Sequence, residues 1–261
     1  MSGLNVSQAR ESLIAAGITG PHRSHERRGT ISKIHALVEG DRDATFGLSG
    51  VERYSASEIL AFMSELTGCP SDIEEIECDD FIDPDLTMQG IERAGRRLLD
   101  TAASGGTLLI ATGHPTGMLE HHIRVVDSFI EAGGKIVRPR EEERLPISSS
   151  GRTRQVRYIG GVGCVADWGA LLHTHSSSAM EALLESKPWP DLVLGDHGFA
   201  GAAIERGIPT IAVMDINDHA LAIAAAEGKD VTIVPMDDNR TPYLYEPSWT
   251  LLQQTLAGGG A

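Results

Sequence analysis

Residues 108–117 read LLIATGHPTG: an apolar run breaks into threonine, glycine, histidine, proline and glycine, and a helical pattern follows at once. A short continuous apolar run predicts a strand buried on both faces. The break predicts a strand-to-helix turn, which admits two readings. A threonine cap would satisfy the free N–H groups of the helix start. A glycine-bearing loop would instead hold an anion against it. The other strand ends decide between the two.

Downstream the pattern repeats. TLLIAT precedes a helix through MLEHHIRVVDSFIEAGG and then KIVRP, while QVRYIGGVGCVAD and ALLHT precede SSAMEALLES. DLVLGD precedes FAGAAIERG, TIAVMD precedes HALAIAAAEG, and VTIVPMDD closes the series. Short apolar strands alternating with helices predict an α/β fold over residues 105–261, an open, doubly wound, Rossmann-like and mostly parallel sheet. Residues 140 to 156, through EEERLPISSSGRTRQV, read as an exposed loop or lid. Gly160, Gly161 and Gly163 do not open a helix, so they read as a bent strand or turn. Without a glycine fingerprint, a nicotinamide-dependent oxidoreductase is excluded.

Upstream, residues 1–104 read as a helical N-terminal region, whether a separate unit or part of one compact whole. SQARESLIAAG, SKIHALVEG, SASEILAFMSELTG and DLTMQGIERAGRRLLDTAAS carry apolar residues at spacings of three and four. Ser55 or Ser57, and Asp85, are the expected caps. The densest basic segment is HRSHERR, His22 to Arg28, with Arg42 a little further on. It is this region's candidate for touching an anionic ligand.

Composition narrows the function. The 261 residues carry 37 acidic and 22 basic side chains, a net charge of −15. Such a surface argues against nucleic acid and anionic membranes as partners. Cys69, Cys78 and Cys164 lie far apart, which suits reduced thiols. The N-terminus reads as an amphipathic helix and not a signal peptide, and no apolar run approaches the ~18 residues of a membrane span. The expectation is a cytoplasmic protein; a homo-oligomer is left open.

The strand ends collect one kind of chemistry. They carry Gly113, His114 and Thr116; then His173, Thr174, His175 and Ser176; then Asp196 and His197. The last two carry Asp215, Asn217, Asp218 and His219, then Asp237, Asp238 and Asn239. A helix cap would explain any one cluster, but capping needs no histidine. In a doubly wound sheet these ends share one edge, where ligands bind. The GHPTG and HTHSSSAM turns predict a phosphate site on backbone N–H groups. Carboxylates beside a phosphate repel it, so a divalent cation between them is expected.

At these residues the chain resembles a bacterial family known simply as phosphatases. The resembling segments are ATGHPTGML, LLHTHSSSAMEALL, PDLVLGDHGFAGAAIERGI, AVMDINDHAL, AEG, VPMDDN and YEP, with HALVEGDRDATFGL and FIDPDLT before them. The departures are Thr116 and HRSHERRGTISKIH, where the family pattern leads one to expect an asparagine-containing basic segment. GDHGFAG and MDINDHAL are remotely similar to the Asp-Asn metal elements of metal-dependent damage-control phosphatases, with His197 at an asparagine position. The resemblance implies a phosphomonoesterase.

The expected activity is hydrolysis of a small phosphorylated metabolite, a nucleotide or sugar phosphate, by metal-assisted water attack. The phosphate would rest on Gly113, Thr116, Gly117, Thr174 and Ser176, with His173, His175 and Arg42 as further binding groups. Asp196, Asn217 and Asp218 would hold the metal, Asp196 would also orient water, and His114 or His197 would protonate the leaving group. Carboxylates favour magnesium and histidines favour manganese or zinc; magnesium is the expected ion, with manganese and zinc as the alternatives. The alternatives are a covalent phosphohistidine at His114 or His173 and a non-catalytic sensor of sugar phosphates or nucleotides.

Overall fold

A computed structural model describes residues 5–147 and 153–258. The first part is helical: α1 (Val6–Ala16), α2 (Arg27–Val38), α3 (Arg42–Thr45), α4 (Ala56–Thr67) and α5 (Pro84–Ala103). Two short strands, β1 (Gly20–Pro21) and β2 (Phe81–Ile82), pair antiparallel among them. Ser55 caps α4 in a capping box with Glu58, as its sequence leads one to expect. The cap of α5 is Asp83, not Asp85, whose own N–H the Asp83 side chain accepts; Pro84 takes the first helical position.

The remainder alternates. It runs β3 (Thr107–Ala111), α6 (Leu119–Glu131), β4 (Lys135–Ile136), β5 (Arg144–Leu145), β6 (Arg154–Ile159), β7 (Val162–Asp167) and β8 (Ala170–Leu171). Then come α7 (Ser178–Leu183), β9 (Leu192–Gly195), α8 (His197–Glu205), β10 (Thr210–Met214), α9 (His219–Ala226), β11 (Val231–Pro235) and α10 (Glu246–Gly258). The sheet order is β11-β10-β9-β3-β7-β6-β5, with β4 also on β3 and β8 on β7. From β11 to β7 the pairing is parallel; β5, β6 and β8 join antiparallel.

The chain lays down β3, adds β7 on one side, then crosses back to build β9, β10 and β11 on the other. The order reverses between β3 and β9, where a doubly wound sheet opens its ligand crevice. Alternate residues of β3 serve two cores: Leu108 and Ile110 pack with α1, α5, α6 and α10, while Leu109 and Ala111 pack with α7 and α8. A third cluster joins α2 and α4 to Ala220–Ala224 of α9. The N-terminal helices therefore share their cores with the sheet.

Two loop expectations change. Within 140–156, Arg144–Leu145 pairs with Arg154–Gln155, and Leu145, Ile147 and Val156 are buried, so much of this segment is sheet and core; residues 148–152 lie outside the described residues. Gly160 and Gly161, both at positive φ, make the tight β6–β7 turn. The HTHS segment does not end a parallel strand. β7 overhangs β3, turns at Trp168–Gly169, and returns through β8 until the Thr174 N–H donates to the Gly113 carbonyl at 3.0 Å. That returning arm carries His173 to Ser177 to the switch point.

Candidate active site

Backbone approach at the switch point is close enough to demand glycine. A Cβ at Gly113 would lie 2.2 Å from the Thr174 carbonyl oxygen, and one at Gly198 would lie 2.4 Å from the Ser177 nitrogen. These contacts bring the β3 loop, the returning arm and the start of α8 together. His197 opens α8 at φ 39°, an uncommon conformation for a side chain-bearing residue.

Asp196 and Asp218 stand at the caps of α8 and α9, yet neither side chain caps its helix. Asp196 turns to the β3 loop and accepts from the Thr112 hydroxyl and, at 2.6 Å, from the Gly113 N–H. Burial works against its charge, but His197, His114 and Thr112 hold the carboxyl well below the usual range. Asp218 accepts the Asp215 N–H at 2.8 Å and leaves its other oxygen 3.2 Å from His197 Nε2. Capping does not account for these residues.

Four imidazoles meet in front of them. His114 lies 4.5 Å from His197 and 4.1 Å from His173, ring centre to ring centre, and His175 stacks on His197 at 4.2 Å. His173 and His175 share a contact of 3.0 Å between their Nε2 atoms. Phe46 sets its ring edge against both His175 and His197. His173 alone of the four is exposed. Burial and the neighbouring rings hold His173 down to about 4. For His197 burial opposes the charge, but Asp218 and Asp238 outweigh it and raise the ring well above its ordinary value.

Asp238 joins them from beyond the end of β11. Its Oδ2 lies 3.2 Å from His114 Nδ1 and 3.5 Å from His197 Nε2, and among the described residues neither of its buried oxygens accepts a well-directed hydrogen bond. Burial pushes its carboxyl up to about 6 against the pull of His197 and His114. A buried bare carboxylate is costly. His114, His197 and Asp238 face one another closely enough to share a cation, with His175 and Asp196 alongside.

A second group clamps the N-terminal segment over this edge. His22 Nδ1 accepts the His25 N–H at 3.0 Å, so its Nε2–H donates to Asp215 at 2.6 Å. The Ser24 hydroxyl donates to Asp237 at 2.7 Å. With its amide oriented to suit its neighbours, Asn217 accepts from Lys33 Nζ at 2.9 Å and His25 Nε2 at 2.8 Å, and donates to Asp218 at 3.2 Å.

Several sequence expectations change on this geometry. The Gly113, His114 and Gly117 N–H groups donate to Asp196, Thr112 and the His114 carbonyl, and Thr174 and Ser176 N–H groups are likewise engaged within the loops. The phosphate cradle expected there is therefore largely self-satisfied, and Thr116 is exposed beside it. Asn217 spends both ends of its amide on Lys33, His25 and Asp218, and it is not among the His and Asp groups close enough to share a cation. Arg42 is exposed on α3 and forms no ion pair among the described residues. Of the basic HRSHERR segment the histidines reach the site; Arg27 is buried on Asp80, and Arg28 pairs with Glu77 at the surface. Asp215 and Asp238 stand among the strand-end residues and His22 in the basic segment, but the sequence assigns Asp238 and His22 no particular role, and nothing in it marks Lys33. Asp238 could have been given one, because no helix follows MDDN for it to cap.

The phosphatase family matches residues 4–257. Phosphatase SCO2771 of Streptomyces coelicolor is 34% identical over 248 residues, covering 92% of each chain. With His114, His173, His175, Asp196, His197 and Asp238 gathered at the switch point of a sheet that the family match spans throughout, the chain belongs to the phosphatase family.

Proposed function

We propose that the protein hydrolyses a small-molecule phosphomonoester at the His114–His197–Asp238 centre, with a divalent cation as cofactor. The observation that carries this reading is the Asp238 carboxylate, buried between the His114 and His197 rings with no well-directed hydrogen bond among the described residues. His114, His197, Asp196 and Asp238 each bring a ligand atom close enough to share one divalent ion, and the two imidazoles of that set suit zinc or manganese better than magnesium. A cation bound there would supply Lewis acidity and an activated water.

The chain's own residues do the rest. Asp196, locked to the Thr112–His114 loop, faces His197 Nδ1 at 3.6 Å and orients that ring toward Asp218 and Asp238. His114 and His175 wall the centre against bulk water. As the water oxygen bonds to phosphorus, its proton passes to the neutral ring of the exposed His173, the ester P–O bond breaks, and the leaving alkoxide takes its proton from solvent. His114 and His197, buried and ion-paired, hold the centre together. A phosphate-release assay with and without chelator tests the reading, together with metal analysis of Asp238→Asn. We expect release to need the cation and the variant to lose it. Full activity in protein shown by elemental analysis to be metal-free would sink the mechanism.

A further inference from the structure

Beside His175 a pocket of about 130 Å³ opens, lined by Lys33, Ala36, Asp41, Asp43, Ala44, Phe46, His175 and Asn217. We infer that this pocket holds the organic half of the substrate, that Lys33 grips the phosphate, and that the substrate is the phosphate monoester of a small polyol. The inference rests on the phosphatase reading above and deepens it.

Lys33 is the one lysine or arginine lining the pocket. It is partly buried, and Asn217, itself 5% exposed, fixes its ammonium with one hydrogen bond at 2.9 Å. Among the described residues its other two N–H donors have no hydrogen-bond or ion-pair partner, and they are left for phosphate oxygens. A single fixed ammonium matches a monophosphate, and the absence of arginine from the lining gives a second phosphate no bidentate partner.

Size and surface then choose the other half. Ligand pockets for drug-sized molecules run about 300–1,000 Å³; this one is smaller, which favours a small organic group. Base recognition also needs an aromatic face, and Phe46, 1% exposed, spends its ring on the edges of His175 and His197. The Ala36 and Ala44 methyl groups suit short carbon chains. Asp43 exposes a carboxylate on the rim, an acceptor for hydroxyl groups and a repellent to further phosphate.

The test is steady-state phosphate release by the full chain, loaded with its cation, from glycerol phosphate, a nucleoside monophosphate and p-nitrophenyl phosphate. We expect kcat/KM for glycerol phosphate to exceed that for the nucleotide by about a hundredfold. Lys33→Met should raise KM for glycerol phosphate by about tenfold or more with kcat little changed, and its metal content should equal that of the parent. Asp43→Asn should narrow the preference for the polyol. Hydrolysis of the nucleotide at equal or greater efficiency, or an unchanged KM in Lys33→Met, overturns the inference while leaving the phosphatase reading intact. Release from none of the three substrates overturns both.

Discussion

Asp238 illustrates how a functional residue can weigh against the fold that holds it. Its carboxyl is raised to about 6, so above the ordinary carboxylate range the folded chain carries a charge it disfavours. Asp238→Asn should therefore stabilise the metal-free protein, by about 1–3 kcal/mol, while removing cation binding and turnover. Guanidinium unfolding of both metal-free proteins checks this, and a less stable variant would mean that the carboxylate is satisfied after all. Gly113 makes the opposite case. Gly113→Ala would drive a Cβ into the Thr174 carbonyl, so the returning arm must shift, at about 1–3 kcal/mol and with loss of activity. Unchanged stability and turnover would show that the arm is loose. Residues such as Asp196 and His197 were legible because they end apolar strands. Lys33 was not, since nothing in SKIHALVEG marks one lysine as facing an asparagine far along the chain.

At the scale of elements, α6 carries two neighbouring histidines on its buried face. Burial holds His121 down to about 3, assisted by His122 and Arg124, and holds His122 down to about 4 against Asp196. Both are neutral in the folded chain near pH 5, whereas an unfolded chain protonates them below about 6.5. The folded pKa values are depressed, so stability is lost as pH falls from about 6.5 toward 4, by about 2 kcal/mol per ring at pH 5. Urea unfolding at pH 7 and pH 5 should show this loss, and His122→Gln should flatten the slope. An equal slope in the variant would mean that His122 titrates normally. The strands and helices themselves were legible, because hydrophobic periods and turn glycines act locally. The β7 overhang was not: ALLHT looks like any buried strand, and its direction depends on pairing with Ala166 and Asp167.

Across the whole molecule the site is drawn from both ends of the chain. A cation bound only by the folded state adds stability by mass action, about 2.7 kcal/mol at a hundredfold excess over its Kd. Chelation followed by dialysis should therefore lower the melting temperature, and one divalent metal should restore it. A melting temperature indifferent to every metal would argue that the centre binds none. No helix among the described residues is long and apolar enough to cross a membrane. The clamp from the N-terminal segment has a consequence in time. Ser24 and Asp237 are 213 residues apart in sequence, and a ribosome adds ~5–20 residues per second. On the order of ten to forty seconds therefore separate the synthesis of the two, and through that interval the nascent chain holds histidines without their carboxylates. The centre closes only as the last parallel strand emerges, so a prematurely terminated chain is born without a catalyst.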